Sequence, residues 1–134
     1  MPQHEAVLFA NEAFYLAFRT RDFAAMEDIW AAAVPVSCIH PGWHALHGRD
    51  EVLESWQAIL EGQGAPDISC HAAQAHVYGD CATVICFEEI EGNYLIATNV
   101  FFREPRGWKI VHHQAAPTSG SPPDDTEDDP EMIN

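Results

Sequence analysis

The second half of the chain changes, from residue 67 onward, to a period of two that is interrupted by turn signals at regular intervals. Four segments alternate between apolar and polar side chains, and the boundaries between them carry glycine, asparagine, aspartate or proline. The predicted strands are 67–78, 81–91, 94–103 and 108–116. Strands joined by such short connections pair with their neighbours in sequence, so this pattern predicts an antiparallel meander.

The first half of the chain follows a helical period instead. Residues 4–19 carry an apolar stripe and are predicted as a helix. Asp22 is a good N-cap for a second helix that continues to Trp30, and the short separation between the two predicts a helical hairpin. Helices followed by strands indicate an α+β fold, in which an antiparallel sheet curls over three N-terminal helices.

Residues 36–56 join the two halves and are predicted to form a pocket wall. A short strand is expected over 36–40, with Cys38 and His40 on one face, and Pro41-Gly42 ends it. Acidic residues then favour the first turn of the third helix, whose apolar positions recur at helical spacing. A histidine at a strand end, next to a turn and an amphipathic helix, is well placed to line a pocket.

The composition excludes several classes of partner. A net charge of −15, from 21 acidic and 6 basic residues, argues against nucleic-acid and anionic-membrane partners, which require a basic surface. No apolar run reaches the length of about 18 residues that a membrane span requires. No secretory signal is visible, so the cytoplasm is the expected location and the four cysteines are expected to stay reduced. No cofactor is indicated.

The last residues differ in composition from the rest. Residues 118–134 are rich in proline, serine, glycine and acidic side chains and contain almost no apolar residues. Such a segment cannot bury enough surface to offset its conformational entropy, so it is predicted to be a disordered acidic tail. Residues 1–117 are predicted to form one folded domain.

Several strings have counterparts in known sequences. Asp22-Phe23, His40-Pro41 and Gly48-Arg49-Asp50 occur at element boundaries, and Ala97-Thr98-Asn99-Val100-Phe101 and Gly107-Trp108-Lys109-Ile110-Val111-His112-His113 are more specific. With the order of elements, they make residues 4–117 resemble the nuclear transport factor 2-like superfamily, and in particular its SnoaL-like domains. Ketosteroid isomerase and polyketide cyclases belong to this superfamily. Because one fold hosts many activities, the resemblance predicts the fold more strongly than the function.

The resemblance implies a cone-shaped sheet whose open end admits an apolar ligand, and a homodimer formed through the sheet. Apolar residues on both faces of the strands also favour such a dimer. In ketosteroid isomerase an aspartate is the general base, and a tyrosine and a protonated aspartate donate hydrogen bonds to the oxyanion. On this sequence the base position falls on His40, the protonated-acid position on Asn99, and the tyrosine position on Phe14, with Tyr15 adjacent. Because Phe14 cannot donate a hydrogen bond, steroid isomerisation is not expected, whereas a small apolar ligand and proton transfer by His40 are.

Strand alternation adds the remaining candidates. Ile110, His112 and Gln114 would share one face of a regular fourth strand, so an inward Ile110 would carry both polar residues inward. Glu88 is expected inside with Cys86. The predicted catalytic residues are His40, Asn99 and His112, and the predicted ligand-binding residues are Phe14, Trp30, Trp43, Glu88, Phe101 and Gln114.

Two other classes of function are considered. The side chains available to ligate zinc or iron are His40, His44, His47, Glu88 and His112. A Pro-Gly turn lies among the first three, so they diverge instead of sharing a helical face, and no metal site is predicted. The third class is a non-catalytic dimeric interaction domain, and the sequence leaves open whether the chain is an enzyme.

Overall fold

The computed structural model describes residues 2–63 and 66–123. Three helices come first along the chain and four long strands follow, in the predicted order. The helices are α1 (Gln3–Arg19), α2 (Phe23–Ile29) and α3 (Arg49–Glu61). The strands are β1 (Ser37–Ile39), β2 (Leu46–His47), β3 (Ser69–Tyr78), β4 (Cys81–Ile90), β5 (Asn93–Glu104) and β6 (Gly107–Pro117). The α+β class is confirmed, and β2 is a strand that the sequence did not predict.

The six strands form one sheet in the order β2-β1-β6-β5-β4-β3. The four long strands make the predicted antiparallel meander. The sheet as a whole is mixed, because β1 joins it parallel to β6. The prediction covered the antiparallel meander, and the parallel pairing of β1 with β6 adds a mixed edge to it.

A β-bulge interrupts β6 next to the centre of the sheet. Phe101 pairs with Ile110 and Val100 pairs with His112, so Val111 is the extra residue between two regular stretches. A bulge reverses the alternation of the side chains that follow it. His113 consequently lies on the same face of the sheet as Ile110, and His112 lies on the opposite face.

The core lies between the helices and the inner face of this sheet. Asp22 caps α2 as predicted, by accepting from the amide of Ala25 at 3.1 Å. The aromatic centre is formed by Phe14, Phe18 and Trp56, whose rings meet edge to face. Phe14 and Trp56 also contact the ring of His113 on the inner face of the sheet.

The described part of the chain continues for six residues beyond β6. Thr118–Pro123 has no regular secondary structure, and its first amide donates to Tyr94 O at 3.3 Å. The remainder of the predicted acidic tail, 124–134, lies outside the described residues. Within the part of the chain that is described, no helix is both long and apolar enough to cross a membrane.

Candidate functional site

An apolar cavity opens between the first strand, α3 and the inner face of the sheet. Its volume is about 210 Å³. We call it the Trp43 cavity, and its lining residues are Phe18, His40, Pro41, Trp43, Trp56, Ile59, Pro66, Glu88, Ile90 and His113. Three of these can exchange a proton, namely His40, Glu88 and His113, and the others are apolar or aromatic. A few polar groups in an apolar cavity are typical of a ligand site.

The turn after β1 places Trp43 over the mouth of the cavity. The amide of Trp43 donates to His40 O at 2.9 Å, which closes a four-residue turn with Pro41 and Gly42 at its centre. Gly42 has φ +82°, a conformation that this turn requires and that side chains with a Cβ rarely adopt. The Trp43 ring then stacks edge-on against the His40 ring, at 4.7 Å between centroids, and remains 46% exposed. Trp43 is therefore a rim residue.

His40 is buried and its tautomer is fixed by α3. The Ser55 hydroxyl donates to Val52 O at 2.6 Å, so its oxygen accepts from His40 Nε2 at 2.9 Å. The proton of neutral His40 therefore sits on Nε2, and Nδ1 keeps its lone pair. Burial lowers the pKa of His40 to about 4, because a charged imidazole would lose its hydration. His40 is a neutral proton acceptor near neutral pH.

Glu88 lies inside, on the face of β4 that it shares with Cys86. Burial raises its pKa to about 7, although a hydrogen bond from the Tyr15 hydroxyl at 2.6 Å opposes this shift. The pKa of Tyr15 is itself raised, chiefly by burial and then by the nearby Glu88 charge, so this phenol keeps its proton and donates it. Glu88 thus titrates in the range where a carboxyl group can both give and take a proton.

His113 completes the group. Its Nδ1 lies 2.6 Å from Asn99 Oδ1, and its Nε2 lies 3.9 Å from Glu88 Oε2. Burial lowers the pKa of His113 to about 3, with further lowering by the neighbouring His40 and His112. His113 is therefore neutral in the folded protein, like His40.

The structure brings together only some of the predicted site residues. His40, Trp43 and Glu88 line the cavity, and Asn99 is buried behind it against His113. Phe14, Trp30 and Phe101 are fully buried in the core and are not among the described residues that line the cavity.

The inward placement of His112 and Gln114 was wrong. The bulge at Val111 turns both to the outer face of the sheet, where Gln114 is exposed and His112 Nδ1 meets the Ser37 hydroxyl at 2.7 Å. His113 occupies the inner position instead.

Three polar residues of this region are not among the predicted site residues: Asn11, Tyr15 and His113. Tyr15 is the neighbour of Phe14 that the resemblance offers as the alternative tyrosine position, and its hydroxyl reaches Glu88 and Asn99. Regular alternation from Ile110 predicts His113 on the outer face, and the bulge at Val111 reverses that alternation. Beyond the bulge, His113 and Ala115 alternate regularly and are both buried on the inner face.

The histidines considered for a metal site do not converge. His44 and His47 are exposed, whereas His40 is buried. Across residues 2–63 and 66–123, no group of three or more His, Cys, Asp or Glu side chains is arranged to hold a metal ion.

Comparison with known proteins decides the family. The SnoaL-like domain family matches residues 7–119. The chain belongs to the SnoaL-like domain family. A proposed dehydratase of the NTF2-like family from Streptomyces avermitilis is 36% identical, with a TM-score of 0.80 over 87% of this chain and 96% of that one. The predicted superfamily and its fold are thereby confirmed.

Other similar proteins carry different descriptions. A structure from Thiobacillus denitrificans, described as a proposed calcium/calmodulin-dependent protein kinase type II association domain, is 32% identical, with a TM-score of 0.73 over 82% of this chain and 93% of that one. The F-box protein SKIP8 of Arabidopsis thaliana is 28% identical over 113 residues, which are 83% of this chain and 49% of that protein. This chain thus spans about half the length of that curated relative. The relatives include both enzyme and association-domain descriptions.

Proposed function

We propose that this SnoaL-like domain binds a small uncharged molecule in the Trp43 cavity and transfers a proton on it, in an isomerisation, a cyclisation or a dehydration. One observation carries the proposal: His40, Glu88 and His113 meet in a single, otherwise apolar cavity. The description of the Streptomyces avermitilis relative as a proposed dehydratase favours dehydration among the three.

The cavity favours a compact and uncharged ligand. Its volume of about 210 Å³ lies below the range of roughly 300–1,000 Å³ that is common for drug-sized ligands. Neither lysine nor arginine is among the described residues that line it, so a carboxylate or phosphate would be buried without a counter-charge. A six-membered ring with one oxygen substituent is a suitable size for a probe.

The protonation states suit acid–base chemistry. Between about pH 4 and pH 7, Glu88 carries its proton while both imidazoles are neutral. Titratable groups whose environments set such opposite roles are characteristic of proton-transfer sites. The cavity therefore holds a proton donor and two proton acceptors without any net charge.

The proposed step balances in protons. His40 Nδ1 takes a proton from one atom of the ligand, and the Glu88 carboxyl gives its proton to another atom. In a dehydration the second atom is the oxygen of a hydroxyl group, which leaves as water while a carbon–carbon double bond forms. The His40 imidazolium then returns a proton to the Glu88 carboxylate, and both groups regain their starting states.

A second candidate function is a non-catalytic association domain that forms a homodimer through the sheet. The observation in its favour is the outer face of β4 and β5, where Ile85 is 43% exposed and Ile96 and Val100 are partly exposed. The 32% identical relative described as a proposed association domain also supports it.

A generic probe separates the two candidates. We expect the protein to accelerate exchange of the α-protons of cyclohexanone in heavy water, because a carboxyl next to the carbonyl oxygen and a neutral imidazole next to the α-carbon promote enolisation. His40→Ala and Glu88→Gln should each lower this exchange by at least about 100-fold, a typical contribution of one acid or base group. Proton NMR measures the exchange directly.

The control is His44→Ala, which removes an exposed imidazole four residues from His40. It should leave the exchange unchanged. Exchange no faster than in protein-free buffer, with no saturation transfer to cyclohexanone or phenol, would contradict the proposal and favour the association domain.

A further inference from the structure

Five buried polar side chains form a hydrogen-bonded chain behind the Trp43 cavity. The Asn99 amide nitrogen lies 2.9 Å from Asn11 Oδ1 and 3.1 Å from the Tyr15 hydroxyl. Tyr15 reaches Glu88 Oε2 at 2.6 Å, and Asn99 Oδ1 lies 2.6 Å from His113 Nδ1. Each of the five is at most 2% exposed, so water does not compete for these hydrogen bonds.

The chemistry of the partners fixes the direction of each hydrogen bond. A tyrosine hydroxyl has one proton, and Tyr15 donates it to Glu88 Oε2, which accepts either as a carboxylate oxygen or as the carbonyl oxygen of the protonated carboxyl. The Tyr15 oxygen can then only accept, which requires the nitrogen of the Asn99 amide on that side. A reversed Asn99 amide would also set its oxygen against Asn11 Oδ1, with acceptor facing acceptor. The Asn99 oxygen therefore faces His113 and accepts from Nδ1–H.

The orientation of the His113 ring decides which of its nitrogens lies on the side of the cavity. Nδ1 faces Asn99, which is buried behind the cavity. Nε2 lies 3.9 Å from Glu88 Oε2, and Glu88 lines the cavity. With the proton held on Nδ1, Nε2 presents a lone pair on the cavity side of the ring.

We propose that Asn99 is a positioning residue, which holds the proton of neutral His113 on Nδ1 and so makes Nε2 a hydrogen-bond acceptor for a ligand hydroxyl. Asn11 and Tyr15 hold the Asn99 amide in the orientation that this role requires. The inference deepens the proposed function and rests on it for the ligand, but the tautomer of His113 is a property of the protein alone. It predicts ligands that donate an O–H group.

The tautomer is measured by two-bond proton–nitrogen correlation NMR of the ¹⁵N-labelled full chain, with the His113 signals assigned by their loss in His113→Gln. In the wild type, Nδ1 should be the protonated nitrogen. Asn99→Asp keeps an oxygen acceptor and should keep this tautomer. Asn99→Leu removes the acceptor and should change the tautomer ratio by about tenfold towards Nε2–H, the effect of one hydrogen bond.

Asn93→Leu is the matched control, because Asn93 is an exposed asparagine at the start of the same strand. It should leave the His113 tautomer unchanged. If Asn99→Leu does not fold, Asn11→Leu serves instead, since it removes the acceptor that holds the Asn99 amide and should move the ratio in the same direction. An Nε2–H tautomer in the wild type, or no change in the folded leucine variant, overturns the proposal.

A pair of probes separates this proposal from the proposed function. Phenol donates a hydrogen bond and its methyl ether, anisole, does not. Wild-type protein should bind phenol about tenfold more tightly than anisole, and Asn99→Leu should lose that preference. If the wild type binds neither probe, the proposed ligand site is contradicted. The NMR result then still decides the role of Asn99 by itself. Equal binding of both by the wild type, with Nδ1 protonated, overturns the hydroxyl preference.

Discussion

At the scale of single residues, two consecutive glutamates show how strongly position decides chemistry. Glu88 is 2% exposed and hydrogen-bonded to a tyrosine, whereas the Glu89 side chain points to the other face and reaches His71 at 2.9 Å. Burial raises the pKa of Glu88 from 4.5 to about 7. The same side chain is therefore a proton donor at one position and a surface group at the next.

The raised pKa of Glu88 predicts a dependence of stability on pH. The folded state binds this proton more tightly than the unfolded state, so the stabilising contribution is complete below pH 4.5 and is lost as the pH rises through 7. Glu88→Gln cannot ionise and keeps an acceptor for Tyr15. Relative to the wild type, it should gain roughly 2 kcal/mol of unfolding free energy between about pH 5 and pH 8. Urea denaturation at the two pH values measures this gain.

The histidines near Glu88 do not account for the expected difference in pH dependence between the wild type and Glu88→Gln. His40, which follows β1, and His113 on β6 share the cavity with Glu88, and both have lowered pKa values and titrate in both proteins. Glu89→Gln makes the same chemical change on the outer face of the same strand and is the control. A pH trend of equal size in the two variants would show that the effect does not come from burial of Glu88.

At the scale of elements, Arg49 connects the start of α3 to the end of α2. Its guanidinium donates to Glu27 O at 3.1 Å, to Trp30 O at 3.2 Å and to Ala31 O at 3.4 Å. The last carbonyls of a helix lack partners within the helix, so a side chain from another element stabilises that end. Arg49 thereby fixes the angle between the helical hairpin and the helix that carries Ser55 and Trp56.

Arg49→Lys should lower the free energy of unfolding by about 1–3 kcal/mol, because one ammonium group cannot reach carbonyls that a planar guanidinium reaches together. Chemical denaturation measures the loss. Arg106→Lys is the matched control, since Arg106 makes an exposed ion pair with Asp28. Its expected change is below about 1 kcal/mol. Equal losses in the two variants would contradict the role assigned to Arg49.

The elements themselves were accessible from the sequence because local patterns dictate them. The cap at Asp22, the Pro41-Gly42 turn and the period-two strands all depend on residues close in sequence. The bulge at Val111 was not accessible, because it depends on how β6 fits β5 and β1 at once. The parallel entry of β1 and the pairing of Tyr15 with Glu88 are likewise tertiary. Among the predicted site residues, His40, Trp43 and Glu88 line the candidate cavity, and its other contacts depend on tertiary packing.

At the scale of the whole molecule, the outer face of the sheet is the surface best suited to self-association. The side chains of β5 that point away from the helices include Ile96, Thr98, Val100 and Phe102, all partly exposed. Several apolar side chains exposed on one face of a sheet are typical of an interaction surface. The homodimer stays a prediction.

We expect light scattering to report a dimer at micromolar concentration. Val100→Lys places a charge at the centre of the outer face and should raise the dimer dissociation constant at least about tenfold, or about 1.4 kcal/mol. Leu16→Lys makes a similar change on α1, where Leu16 is 50% exposed, and should leave the dimer intact. A wild-type monomer, or equal dissociation of both variants, would contradict association through the sheet.

The bulge in β6 also bears on how this site can vary during evolution. If the extra residue moved from Val111 to a position beyond His113, His112 would come opposite Asn99, and an imidazole would still meet that amide. With histidines at both 112 and 113, a shift of the strand register by one residue would therefore keep an imidazole opposite Asn99 without any substitution. The contact between Ser37 and His112 belongs to the present register alone and opposes the slip. Sequence alignments of relatives at this dipeptide should accordingly be anchored on the strand pairing rather than on histidine identity.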